Sequence, residues 1–237
     1  MEINGLPLIV IAMEAEATPV RDLLGLEGVG SPIDDTLNAR IWSSERIHLV
    51  VNGMDSRFGI DSIGTIPAAL TTFAAVKSTK PGLVISAGTC GGFVRNGGHI
   101  GEVIIADRCV FHDHRIALPG FSEYGFGEFP LADMSEVASS LGYRLGTVTT
   151  GDSLDAPVVD LKRMDSVSAA AKDMEAAAVA WVSSELNIPF TALKVITDLV
   201  DGEEATETEF LANLQYASER LAEAIFAVVT KLHEPND

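Results

Sequence analysis

The sequence predicts an α/β sandwich, a central sheet with helices on both faces, and three observations predict it. Apolar runs without polar alternation, such as "PLIVIAM" at residues 7–13, fit strands covered on both sides. Segments with apolar residues at steps of three and four alternate with those runs, the order of an α/β fold. Hydrophobic residues make up 47% of the 237, enough for a sizeable core, and no linker, repeat or low-complexity tract divides the chain. One domain over residues 1–237 is therefore expected.

The first apolar run leads into "EAEATPVRDLLG", where Val20, Leu23 and Leu24 form a helical stripe, Gly25 is a stop, and Glu14 and Glu16 suit a helix N-terminus. "ARIWSS" and "IHLVVNG" are short β-branched runs around a charged pair, expected as a hairpin or adjacent strands. A helix is expected over about residues 59–77, with Ile63, Ile66, Leu70 and Phe73 as its apolar stripe and Gly64, Ala68 and Ala69 permitting close packing. "PGLVISAGTCGGF" reads as a buried strand running into a glycine-rich turn, and "GEVIIADRCVFHD" and "RLGTVTTGDSL" as further strands. "KDMEAAAVAWVSSELNIP" is helical by pattern, with Met174, Ala178, Trp181, Val182 and Leu186 on one face and Pro189 as its stop. "FTALKVITDLV" is the last strand. A long closing helix follows from Thr206, with Phe210, Leu214, Ala217, Leu221, Ile225, Val228 and Leu232 in register and Thr206 with Glu209 as a capping box. "VRNGGH" and "LPGFSEYGFGEFP" read as exposed loops.

The net charge of −18, from 16 basic against 34 acidic residues, disfavours nucleic acid and anionic membranes as partners and favours a small molecule. No apolar run is long enough to span a bilayer, no basic segment precedes the first one, and only Cys90 and Cys109 occur, so a cytoplasmic location is expected.

Glu16, Glu175 and Asp198 each fall where a strand ends or a helix begins, the edge at which open α/β sheets gather ligands. Each feature has a purely structural reading when taken singly: acids favoured by a helix dipole, Asp173 as a helix cap, "TDLVDG" as an acidic turn. Those readings leave unexplained why all three acids flank the most apolar segments. "GTCGG", residues 88–92, lets a backbone approach a ligand, or is a tight turn needing positive φ. Its spacing matches no dinucleotide or phosphate loop and it holds no Lys or Arg, so an uncharged polar group fits it better than a phosphate. "FHDHR" offers metal-ligand types, but no third cluster completes a coordination sphere and no metal is expected. Cys90 and Cys109 read as buried small residues, and Met174 and Phe210 lie close enough in sequence to the acids to line a pocket.

Five collinear motifs, "IAMEAEA", "AGTCGGF", "TGDSLD", "KDMEAAAVA" and "LKVITDLVDG", resemble the 5′-methylthioadenosine/S-adenosylhomocysteine nucleosidases over nearly the whole chain. "GIDSIGT" and "FHDHRI" bring the likeness closest to the plant-type branch. The resemblance implies a three-layer αβα sandwich of the nucleoside phosphorylase/hydrolase type with a mixed central sheet, a homodimer, and no metal or organic cofactor. It also implies irreversible hydrolysis of the N-glycosidic bond of a 5′-thio-substituted adenosine. By motif, Glu16 resembles the acid that deprotonates the attacking water, and Asp198, next to Thr197, the acid that protonates adenine at N7. Glu175 resembles the residue holding the ribose hydroxyls, with Asp173 and Met174 beside it in the substrate site. Thr89, Cys90 and Gly91 resemble the segment along sugar and base, and Leu154 with Asp155 the stretch covering adenine, where other branches carry an aromatic residue. Phe58 and Phe210 resemble walls of the alkylthio pocket, and the loop bearing His112 and Ile116 one that a dimer partner lends to the neighbouring site.

The chemistry is sound by itself. Adenine leaves poorly as an anion, so a carboxylic acid kept protonated by a dry pocket must accompany C–N cleavage. A second carboxylate on the opposite face activates water, the division found in inverting glycosidases. Two other readings stay open at this point. A phosphorylase of the same fold would need cations converging on phosphate, and commonly an Arg where Ser86 stands, with Arg57 the residue that keeps it in play. A non-catalytic purine-binding protein would tolerate amides at all three acids. A dinucleotide enzyme fails for want of the first-strand glycine fingerprint.

Overall fold

The computed structural model describes residues 5–234. The first half runs β1 (Pro7–Ile11), α1 (Glu14–Leu24), β2 (Ser31–Pro32), β3 (Arg40–Ser43), β4 (His48–Val51), β5 (Met54–Asp55), β6 (Ile60–Asp61), α2 (Thr65–Thr79) and β7 (Leu83–Gly92). Then come β8 (Val103–Phe111), α3 (Phe121–Phe126), α4 (Ser135–Leu141), β9 (Arg144–Thr150) and α5 (Val158–Ser166). The chain closes with β10 (Ala171–Asp173), α6 (Ala176–Glu185), β11 (Phe190–Leu199) and α7 (Thr206–Leu232).

One mixed sheet has the spatial order β10-β9-β8-β11-β7-β1-β4-β3-β2. Its middle, β4-β1-β7-β11, is parallel, and β8 enters antiparallel to β11. Successive residues of a strand face opposite sides, so a strand covered twice must be apolar throughout. In β1, Ile9 and Ile11 pack with Leu49 and Ile85 beneath α1 and α7, against Val20, Leu221, Ile225 and Val228. Leu8 and Val10 face the other way, with Val50 and Val84, beneath Ala68, Ala75 and Val76 of α2 and Ala176 and Val179 of α6. This is the three-layer, mixed-sheet sandwich that the sequence predicts.

The sheet also does something the pattern does not announce. Strand β10 pairs with β9 on one side and, antiparallel, with the end of β7 on the other, through Ala171 with Gly92 and Lys172 with Gly91. The sheet therefore curls back on itself at the ends of β7 and β11.

Several local expectations are corrected. Gly88–Gly92 is strand, not turn, and none of its glycines has positive φ. Residues 60–61 belong to β6, and α2 begins at Thr65 after Gly64, whose φ of 97° is the left-handed backbone that favours glycine. The apolar stripe of α2 points outward: Ile66, Leu70 and Phe73 are 72%, 52% and 50% exposed. Its inner face carries Ala68, Thr71, Thr72, Ala75 and Val76, small enough for close approach to α6 and the sheet. The "KDME" segment divides into β10 and the entry to α6, so Met174 is not helical and Trp181 is largely exposed. Thr206 makes no cap; Ala205 is the N-cap of α7, and Glu209 instead accepts the Leu199 N–H at 2.7 Å, tying α7 to the end of β11. The two expected loops contain a single 3₁₀ turn (Val94–Asn96) and α3, and the short α4 and α5 have no apolar stripe long enough to announce them. Among the described residues no helix is long and apolar enough to cross a membrane.

Leu221 on α7 is fully buried against the sheet, whereas Leu211 on the same helix is 71% exposed. Leu221→Ala is expected to cost about 2–5 kcal/mol in urea unfolding, from lost burial plus a residual cavity. Leu211→Ala is expected to stay within about 0.5 kcal/mol. Equal effects would mean that α7 does not pack by this face.

Candidate active site

A cleft opens where β1 gives way to α1, β7 and β11 end, and β10 turns into α6. Of the residues the sequence singles out, Glu16, Thr89, Cys90, Gly91, Leu154, Asp173, Met174, Glu175, Thr197, Asp198 and Phe210 line it. Ala12, Met13, Ile63 and Lys172 complete the lining and escape the sequence reading. Only Lys172 among these four carries chemistry that a motif search seeks, and no spacing marks it.

Glu16 stands at the third position of α1 and is buried. Its Oε1 accepts hydrogen bonds from Thr89 N (2.6 Å) and Thr89 Oγ1 (2.7 Å), while among the described residues Oε2 takes only the Met13 N–H at 3.4 Å. Burial raises its pKa against the opposing pull of those bonds and of the Lys194 charge. Gly88 leaves this carboxyl room, because a Cβ there would stand 3.3 Å from Glu16 Oε1, a tight contact.

Glu175 is the N-cap residue of α6, and its Oε1 accepts the Gly64 N–H (2.9 Å) from the entry to α2. Burial lifts its pKa to about 7, with Lys194 lowering it and Asp173 raising it further. Asp173 is the knot of this wall. Its Oδ1 accepts Thr150 Oγ1 (2.6 Å); its Oδ2 accepts Ala176 N (2.8 Å) and pairs with Lys194 Nζ at 2.8 Å. Asp173 thus does cap α6, but it also balances a lysine the sequence reading overlooks. Burial opposes the charge on Lys194, yet Asp173, Glu175 and Glu16 outweigh burial and hold its pKa above the ordinary lysine value.

Asp198 owes its direction to a β-bulge. The β7–β11 register runs Ile196 with Cys90 and then Asp198 with Gly91, leaving Thr197 as the extra residue. Thr197 Oγ1 lies 2.8 Å from Asp198 Oδ1, and Oδ2 takes no hydrogen bond among the described residues. A Cβ on Gly91 would stand 2.9 Å from that Oδ2, so only glycine leaves the carboxyl room. Burial raises the Asp198 pKa; the Thr197 bond and Lys172 pull it down, and Glu209 pushes it up.

Four expected residues lie outside the cleft. Asp155 is exposed in an adjoining depression beside Val200 and Thr206. Phe58 sits on the β5–β6 turn, 71% exposed, under the Arg57 guanidinium, which is itself committed to Asp55 at 2.6 Å. His112 is buried against Gly151 and does not line the cleft, its pKa pushed down to about 4 chiefly by burial. Ile116 lines a separate apolar groove with Ile66, Phe111, Tyr124 and Trp181. Arg115 of the same "FHDHR" run pairs with Asp160, and His114 stacks on Phe111. Among the described residues no three His, Cys, Asp or Glu side chains are grouped to hold a metal ion. Cys90 and Cys109 are buried free thiols, and burial pushes both pKa values well up.

This curled mixed sheet with its acidic cleft belongs to the phosphorylase superfamily, whose family model matches residues 8–230. Over 232 residues the chain is 41% identical to a 5′-methylthioadenosine nucleosidase of Arabidopsis thaliana, covering 96% of this chain and 87% of that one. A 5′-methylthioadenosine/S-adenosylhomocysteine nucleosidase of the same plant is 35% identical over 225 residues, covering 93% and 89%. The solved apo structure of Arabidopsis thaliana 5′-methylthioadenosine nucleosidase superposes with a TM-score of 0.95 at 40% identity, over 99% of this chain and 98% of that one. The chain belongs to the 5′-methylthioadenosine/S-adenosylhomocysteine nucleosidase family, in its plant-type branch.

The folded-state pKa of Glu175, about 7, exceeds the unfolded carboxyl's 4.5. Its contribution to stability is therefore fully present below the unfolded value and is lost as pH rises through the folded one. Glu175→Gln keeps an acceptor for Gly64 and carries no charge. Between about pH 5 and 8 its urea midpoint is expected to fall less than that of the wild type. Parallel falls in the two proteins would refute a raised Glu175 pKa.

Proposed function

We propose that the protein hydrolyses the N-glycosidic bond of 5′-methylthioadenosine, releasing adenine and the thio-ribose. The observation that carries this reading is that Glu16 and Asp198, 182 positions apart in the sequence, share one cleft walled by Ala12, Met13, Ile63, Leu154, Met174 and Phe210. Of its four acids, Asp173 is spent on Thr150, Ala176 and Lys194, and each of the other three has one oxygen anchored by the protein: Glu16 by Thr89, Glu175 by Gly64, Asp198 by Thr197. Among the described residues the other oxygen has no protein partner in Glu175 and Asp198 and only the long Met13 N–H contact (3.4 Å) in Glu16, which leaves it to act on substrate or water.

In the reaction the C1′–N9 bond breaks and its electron pair goes to the purine. Asp198 gives its proton to purine N7, which spares adenine from leaving as an anion. The sugar becomes oxocarbenium-like, and the carboxylates of Glu16 and Glu175 stabilise that charge as it develops. Glu175 accepts from the ribose hydroxyls. Water adds at C1′ and passes its proton to Glu16, whose pKa burial raises.

Phosphorolysis fits the site poorly. Among the described residues the one cation lining it, Lys172, is committed to backbone carbonyls, and Lys194, buried behind Asp173, is committed to that carboxylate and to Ser86 Oγ (3.3 Å). Four acids, Glu16, Asp173, Glu175 and Asp198, would face an incoming dianion, and Arg57 is held away by Asp55. A storage protein would have no use for burying three ionisable acids at the expense of stability.

A homodimer belongs to the same proposal. Ile66, Leu70 and Phe73 present an apolar helix face continuous with the Ile116 groove, and Ile63 carries that face to the cleft mouth. A second copy seated there would cover this surface and bring its own Ile116-bearing loop towards the cleft.

Asp198→Asn and Glu16→Gln are each expected to lower adenine release from 5′-methylthioadenosine by at least about 10²-fold, with substrate binding still measurable by calorimetry. Near-normal turnover in either variant would remove its assigned role, and turnover that requires phosphate would replace hydrolysis by phosphorolysis. Comparing S-adenosylhomocysteine and 5′-deoxyadenosine in the same assay ranks the related nucleosides. Phe73→Asp is expected to turn a dimer into a monomer in sedimentation equilibrium. A wild-type protein that sediments as a monomer would overturn the pairing.

A further inference from the structure

Lys172 is a buried cation to which the reaction above assigns no task. It lies on β10 directly across from Gly91 of β7, and Gly91 on its other side is in register with Asp198 of β11. Residues directly opposite on neighbouring strands share a face, so Lys172 and Asp198 flank a position without a side chain, about 10 Å apart at their Cα atoms. Both line the cleft.

The Lys172 ammonium donates to the carbonyl oxygens of Ser153 (2.7 Å) and Leu154 (2.9 Å). Leu154 is part of the cleft lining although 46% exposed, so this segment forms a cover. The cover's other anchors hold only its beginning: Asp152 accepts Thr65 N (2.7 Å) and Oγ1 (2.6 Å), and Asp152 N donates to Asp113 Oδ2 (2.8 Å). Lys172 fastens the far end from the cleft side.

We propose that Lys172 is a positioning residue for base recognition and proton donation, holding the cover at residues 153–154 and, across the bare Gly91, stabilising the carboxylate that Asp198 becomes. The proposal rests on the reading of Asp198 as the proton donor. An Asp198 stripped of its proton is a buried anion beside Glu209 of α7, a like charge, and Lys172 is the cation that offsets it. Around Lys172 stand Asp198, Asp173 of its own strand, Asp155 of the cover and Asp160 of α5. His112, at the end of β8, adds no charge near neutrality because its pKa lies at about 4. Lys172 is thus a cation shared between the cover and the acid.

The test measures adenine release against pH for Lys172→Met, Lys172→Gln and Lys172→Arg beside the wild type. Lys172→Met is expected to raise KM about tenfold through the loosened cover. Without the ammonium Asp198 keeps its proton to higher pH, so the alkaline limb of kcat/KM is expected to move up by about one pH unit. Lys172→Gln keeps a donor without charge: the limb should move as far while KM rises less, which also reads the charge effect if Lys172→Met does not fold. Lys172→Arg is expected to restore both. An unmoved limb in a folded Lys172→Gln, or an equal shift in Lys172→Arg, overturns the proposal while wild-type turnover stands. Absence of adenine release by the wild type would instead overturn the reading of Asp198.

Discussion

The buried ion pair between Lys194 and Asp173 is the interaction on which the rest of the site depends. Lys194 lies in the middle of β11, fully buried, and a lone ammonium there would be strongly disfavoured. Asp173 answers it at 2.8 Å and simultaneously receives Thr150 of β9 and the first free N–H of α6. One carboxylate therefore binds three elements together, and the same lysine charge restrains the pKa values of Glu16 and Glu175. A buried pair of this kind is weak evidence of stability, since apolar packing would serve stability better. Its use here is to let two further carboxyls exist in a dry cleft.

Room for those carboxyls comes from removed atoms. Gly88 and Gly91 stand beneath Glu16 and Asp198; a Cβ at Gly91 would intrude on a carboxylate oxygen, and one at Gly88 would crowd it. The bulge at Thr197 then re-aims Asp198 against Gly91. The closing strand β10 adds a further neighbour to Gly91, which brings Lys172 to the same place. Sheet curvature, glycine and bulge act as one device: they convert the end of a buried strand into a cavity lined by acids.

The outer surface follows a complementary logic. Strand-covering helices use small residues where they touch, as α2 does with Ala68 and Ala75 against the sheet and α6. Close approach leaves no space for large side chains on the inner face, so Ile66, Leu70 and Phe73 lie outside. An apolar face that wide on a helix is ordinarily covered.

The fold class was legible in the sequence because strands such as β1 are apolar at every position and α7 repeats at steps of three and four; both are local patterns produced by burial. Glu16, Glu175 and Asp198 were legible through their motifs and their positions at strand ends. Hidden were the inward face of α2, the strand character of Gly88–Gly92, the use of Glu209, and the two lysines. Each depends on a neighbour remote in the chain: α6 for α2, β11 for β7, Leu199 for Glu209, Asp173 for Lys194, the 153–154 carbonyls for Lys172. The sequence by itself determined which residues are apolar enough to form layers and which acids stand at the layer edge. The tertiary structure decided which charge faces which, because a glycine's empty volume, a one-residue bulge and a strand closing the sheet act only once distant segments meet.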